Sequence, residues 1–181
     1  NADVTLRRVN GHTASSRDWA DFAVFYNRTF EEKWGMATFN LGFFEEIGRT
    51  LPDNVLLVLA DKDDHCIAGS LMYVSDTTLY GRHWGCIEQV DQLHFEACYY
   101  QGIEFCIEKG LQVFEPGAQG EHKIARGFVP VMTRSAHWLR SDHLQNPVKD
   151  FCRHEKQGVE QYMQQLEKKV PFKRAENETL C

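Results

Sequence analysis

Three strand-like runs, residues 55–60, 66–74 and 78–90, follow one another with only two short turn clusters between them, at 61–64 and 75–76. A parallel crossover needs a dozen or more residues, so runs this closely spaced return antiparallel to one another as a meander. Asp, Lys and Ser at the breaks supply the turn chemistry. The last run is expected to be interrupted near Gly85. Two amphipathic helices precede the meander. Ser15 and Ser16 offer caps for the first, in which Trp19, Phe22, Ala23, Tyr26 and Phe30 recur at three- and four-residue spacing as far as Lys33. Asn40 opens the second, through Leu41, Phe44, Ile47 and Leu51, and Pro52 stops it. A β-like stretch at 4–9 stands ahead of both.

Composition narrows the class. With 181 residues, 43% of them hydrophobic and only 5 Pro, the chain is neither disordered nor fibrous and has the length of one domain. Its longest apolar stretches fall far short of the ~20 residues that span a bilayer, and no signal-peptide core stands near the start. A soluble, cytoplasmic domain is expected, with no membrane partner. The six cysteines are scattered without a C-x-x-C pair, which predicts reduced thiols. The net charge of −6 is uneven. Acidic residues dominate 1–120 and basic ones 121–174, enough to receive an anion locally but not to bind duplex nucleic acid. Asn1-Ala2, without an initiator Met, reads as the scar of a removed tag ahead of a domain at 3–172, and the tail from Lys173 reads as disordered.

Beyond the meander, Asp91 is expected to cap a helix whose apolar stripe is Phe95, Cys98, Tyr99, Gly102, Ile103, Cys106 and Ile107, ended by Gly110. A short strand at 111–114 opens into a Gly-rich loop at 115–120. A short helix at 121–126, a strand at 129–139, and a helix at 147–169 capped by Asn146 complete the chain. The order is that of an α/β (α+β) domain with a mixed, mainly antiparallel central sheet flanked by helices.

The Gly-rich loop concentrates the chemistry. Glu115, His122, Lys123 and Arg126 surround Gly117, Gln119 and Gly120 at a strand end, where such turns expose backbone N–H groups to an anion or oxyanion. An N-acyl transfer needs a proton acceptor for the attacking amine and donors for the tetrahedral oxyanion. Glu115 or His122 suits the first role; Lys123, Arg126 or the loop amides suit the second. Without that chemistry, the same stretch is a tight strand-to-helix turn with solvated charges. A second constellation places Arg82, His83 and Trp84 on a strand and His94, Glu96 and Tyr100 on the next helix, as substrate-binding residues or as ordinary sheet and cap residues. No metal site is expected, since His94 and Glu96 point apart on a helix and the remaining histidines lie on separate elements.

The order of elements is similar to the acyl-CoA N-acyltransferase fold of the GNAT superfamily. Lys33-Trp34-Gly35, Phe43-Phe44, the runs 79–85, 94–100 and 115–128, and Ser135-Ala136-His137-Trp138 resemble the bacterial FemAB-like peptidoglycan biosynthesis/recognition family over residues 5–170. Members usually carry two related halves, which implies that this chain is the second half and that a missing N-terminal half is a partner. The resemblance implies an N-acyltransferase taking acyl-CoA or aminoacyl-tRNA as donor and a small-molecule or peptide amine as acceptor; the alternative is a non-catalytic recognition half. The glycine turn that holds the donor pyrophosphate in GNAT enzymes is absent before the helix, and Asp91 there would repel phosphate. The Gly-rich loop and the start of that helix are expected to face one cleft.

Overall fold

The structure, a computed structural model, describes residues 3–32, 35–117 and 120–172. The chain divides into two compact units, Asn1–Gly117 and Ala118–Cys181. In the first, strands β1 (Val4–Val9), β2 (Val55–Lys62), β3 (His65–Val74), β4 (Thr78–Cys86) and β5 (Val113–Glu115) form one sheet in the order β1-β2-β3-β4-β5. The first four are mutually antiparallel, as the short turns require, and β5 joins β4 in parallel.

Strand β2 explains why both faces of this sheet are covered. Val55 to Ala60 are all buried, and alternation sends Val55, Leu57 and Leu59 to one face and Leu56, Val58 and Ala60 to the other. On the first face, α1 (Ser16–Glu32) and α2 (Leu41–Thr50) pack Trp19, Phe22, Tyr26 and Phe44 against them. Each large apolar side chain buried there contributes roughly 1.5–3 kcal/mol. Asn40 caps α2, its side chain accepting from the Phe43 N–H at 3.0 Å.

An ion network ties α1 to the sheet. Ser15 donates its N–H and hydroxyl to Asp18 at 2.7 and 2.8 Å, and the Asp18 N–H returns to the Ser15 hydroxyl. Arg7 on β1 bridges Asp18 and Asp61, each at 2.6 Å. Burial alone would raise the Asp18 pKa, but the bonds from Arg7 and Ser15, together with the Arg7 charge, overcome it and hold the carboxyl below its ordinary value. A carboxyl lowered by folding stabilises above its unfolded pKa of ~3.9, and that contribution disappears as pH falls through the folded value. Asp18→Asn is therefore expected to cost about 1–3 kcal/mol at pH 7. In urea unfolding the gap between variant and parent should close below pH ~4; a gap unchanged at pH 2 would contradict this account.

The helical region after β4 departs from expectation. Asp91 does not cap it. The residue before the helix is Gln92, in the left-handed region at φ +63°, with no side-chain cap, while its amide donates to Asp91 at 3.0 Å. A short α3 (Leu93–Phe95) runs into a wide π turn (Glu96–Tyr100) and then α4 (Gln101–Lys109), which ends at left-handed Gly110. The π turn shifts the phase of the stripe. Leu93, Ala97, Tyr99, Gly102 and Cys106 are buried, whereas Ile107, expected inside, is 76% exposed. Gly102 allows close packing as its place on the stripe predicts: a Cβ there would meet Phe114 at 2.6 Å.

The second unit holds a 3-10 turn (Glu121–Arg126), closed by Gly127 at φ +92°, and α5 (Asp142–Glu167). The helix begins five residues before the expected 147, so Pro147 lies inside it, not at its first position, and removes one backbone bond there. The strand expected at 129–139 does not form: the segment is irregular, with Pro130 lacking a donor and Val131 and Trp138 exposed. Its apolar spacing resembled a strand, but no ladder partner reaches it among the described residues.

Candidate functional site

Strand β5 ends where β4 continues. Pairing runs Thr78 with Val113, Leu79 with Phe114 and Tyr80 with Glu115, and then stops. Pro116 follows Glu115, and a residue without an N–H cannot extend the ladder. Gly117, the last residue of this unit, has φ +86°. Strand β4 continues through Gly81 to Cys86 with only β3 as ladder neighbour among the described residues. Part of that edge is closed by α1, since the Thr29 hydroxyl donates to the Trp84 carbonyl at 3.0 Å.

Two clusters of rings flank the exposed length of β4. A bulge shapes both: Leu71 pairs with His83 and Met72 with Gly81, leaving Arg82 as the extra residue. His83 lies on the α1/α2 face, edge-on to Tyr26 at 5.1 Å and to Phe39 at 5.9 Å. Phe39 is itself stacked on Phe43 at 4.0 Å. Burial, reinforced by the Arg82 charge, pushes the His83 imidazole down to about 4, so it is neutral at physiological pH. Trp84 lies on the opposite face, 5.3 Å from the ring of His94, which also meets Phe95 and Tyr99. Glu96 accepts from Gln101 at 2.9 Å, and Tyr100, on the outer side of the π turn, is 44% exposed.

The sequence-predicted loop residues divide between the two units. Glu115 ends β5 in the first, exposed beside Tyr80. His122, Lys123 and Arg126 stand on the 3-10 turn of the second, which Gly120 precedes at φ +103°. Arg126 donates to the His122 carbonyl at 2.8 Å, bracing that turn. Partial burial, with Lys123 and Arg126 nearby, lowers the His122 pKa. Glu121 accepts from Tyr162 and from Lys169, ion-pairing the turn to the end of α5. Gln119 lies outside the described residues, and with it the expectation of one cleft joining it to His94.

Sequence reasoning missed Tyr26 and Phe39, whose rings meet His83, and Tyr73 and Tyr80, which share its sheet face. Their only signal was the alternation of Tyr73 and Tyr80 with the run that ends in Arg82 and His83, and it is legible only once the register is known. Among the described residues Cys66, Cys86, Cys106 and Cys152 are free thiols. Burial raises Cys66 to about 12 and also raises Cys86 and Cys106, so these are poor nucleophiles. No cluster of three metal-ligating side chains occurs among the described residues, and no helix there is long and apolar enough to cross a membrane.

A mainly antiparallel sheet, covered on both faces and extended by one short parallel strand, defines an acyltransferase-like fold, and solved structures share it. An aminoglycoside acetyltransferase, meta-AAC0020, from an uncultured soil metagenomic sample aligns with TM-score 0.55 and 14% identity, over 76% of this chain and 95% of that one. A GNAT family acetyltransferase from Staphylococcus aureus aligns with TM-score 0.51 and 12% identity, over 75% and 98%. The ribosomal-protein-alanine N-acetyltransferase of Brucella melitensis biovar Abortus aligns with TM-score 0.50 and 11% identity, over 76% and 99%. At such identities the likeness establishes the fold. The family rests on the sequence: the profile of the FemAB-like proteins, described as peptidoglycan biosynthesis/recognition, matches residues 1–174, and the chain belongs to that family. No protein with a curated description matches it.

Proposed function

We propose that this chain is an N-acyltransferase domain that moves an acyl or aminoacyl group onto an amine of a peptidoglycan-precursor-like acceptor. The observation that carries the reading is the end of β5 at Pro116, which leaves Glu115 exposed beside β4, whose two faces carry the His83 and His94 clusters. In this reaction the amine attacks the donor carbonyl while Glu115 accepts its proton. Backbone amides around Gly117 stabilise the oxyanion, and collapse expels the thiol of coenzyme A or the terminal ribose hydroxyl of a tRNA, which regains a proton. His122 is the alternative proton acceptor, and Lys123 and Arg126 the alternative donors to the oxyanion.

The segment between β4 and α3 favours a donor other than acetyl-coenzyme A. It contains no glycine, Glu88 there is bonded to Lys62, and Asp91 would face any phosphate placed at the helix start. The same feature supports the second reading, a recognition half that keeps the fold and binds a cell-wall precursor without transfer. Calorimetric titration of acetyl-coenzyme A into the chain should show binding weaker than roughly 10 µM, or ~7 kcal/mol. Tighter binding would restore ordinary acetyl transfer as the leading activity.

A further inference from the structure

We propose that Arg82 and His83, set side by side by the bulge in β4, form with Tyr73 a subsite for an anionic group, carboxylate or phosphate, of the acceptor. The inference rests on the acyl-transfer reading, in that it assigns the subsite to the acceptor. The extra residue at Arg82 breaks the strict alternation of β4, so His83, next to Arg82, falls on the face of Leu71 and Tyr73 instead of the opposite one. Tyr80 pairs with Tyr73 and His83 with Leu71, which fixes all four on the α1/α2 face. Arg82 is close enough for its charge to act on both the Tyr73 hydroxyl and the His83 ring.

Arg82 differs from the other arginines of its unit. Every other arginine of the first unit, Arg7, Arg8, Arg17, Arg28 and Arg49, is paired with a carboxylate. Arg82 is exposed and ion-pairs with no carboxylate among the described residues, and its charge acts on His83. Such a guanidinium, beside an imidazole and a phenol, offers several N–H and O–H donors to an anion. The rings of Tyr26, Phe39 and Phe43 form an apolar wall on one side, which strengthens a charge interaction relative to open water.

Titration followed by NMR of the Arg82 Nε–Hε and His83 ring resonances tests this without needing turnover. The probes are inorganic phosphate, N-acetylglycine and its uncharged amide, N-acetylglycinamide. Phosphate or N-acetylglycine should shift both resonances in the parent while the amide does not, and whichever anion binds more tightly identifies the group. Arg82→Gln should weaken that binding at least ~10-fold, with Arg82→Lys in between. Because Arg82 is exposed, both variants should keep the parent's amide spectrum elsewhere. Equal binding of N-acetylglycine and its amide, or unchanged anion binding in Arg82→Gln, would overturn the subsite even if acyl transfer is observed. Arg82-dependent anion binding in a chain that transfers no acyl group would uphold the subsite and refute the enzymatic reading instead.

Discussion

Glu115→Gln is expected to lower acyl transfer about 10²–10⁴-fold, the usual contribution of a positioned proton acceptor. The side chain is exposed at the end of a three-residue strand, so the substitution removes the proton acceptor without disturbing packing. Thermal unfolding should match the parent, and the loss should fall on kcat more than on KM. His122→Ala separates the alternatives. If Glu115 is the proton acceptor, this second variant retains activity within about tenfold, whereas a loss with His122→Ala and none with Glu115→Gln would transfer the role to His122. Retention of full activity in both would leave the Gly-rich loop as a turn with solvated charges.

The second large effect is on stability. Gly85→Ala should destabilise the chain by about 3 kcal/mol or more, toward the upper end of the usual range for overpacking. A Cβ at this position would lie 2.1 Å from the Phe25 carbonyl oxygen and 2.4 Å from its carbon, both backbone atoms of α1 that cannot rotate away. Relief requires α1 to lift from β4, and α1 carries Phe22 and Tyr26 into the core. Gly158→Ala is the control. That glycine lies within α5, nothing would meet its Cβ within 4 Å, and the change should stabilise the helix by up to ~1 kcal/mol. Denaturant unfolding of the two variants should show opposite signs; similar behaviour would mean that α1 does not sit against Gly85 as described.

Much of the sheet was legible because it is built from local signals. Residues 61–64 and 75–76 are too short for anything but reversals, and the buried run at β2 needed cover on two sides. Asn40 announced α2 because its cap is a bond within four residues. Gly85 was read as an interruption of β4, yet it lies within the strand because α1 approaches it. The strand expected at 129–139 failed for the complementary reason, since alternation alone supplies no ladder partner.

At the candidate site the residues were legible and their arrangement was not. Arg82 and His83 were singled out, but a bulge depends on the register of two strands, so the face on which His83 falls could not be read from spacing. The π turn hid in the same way: an ideal helix period put Ile107 inside, and one wide turn moved it out. Asp91 carries the side chain of a good cap, but the left-handed backbone at Gln92 uses it as a partner for the Gln92 amide instead.

The most direct test of the end of β5 beside β4 as the transfer site is a backbone-amide NMR map of donor binding. A stable amide analogue of 3′-aminoacyl-adenosine, the charged end of a tRNA, would be titrated into the isotopically labelled chain. Shifts concentrated at Gly81, Arg82, His83, Trp84, Glu115 and Gly117 are the predicted result, because these residues lie on β4 beyond its pairing with β5 and at the end of β5. Shifts confined to β1 and the Arg7–Asp18–Asp61 network on the far side of the sheet, or no shifts at saturating analogue, would contradict it.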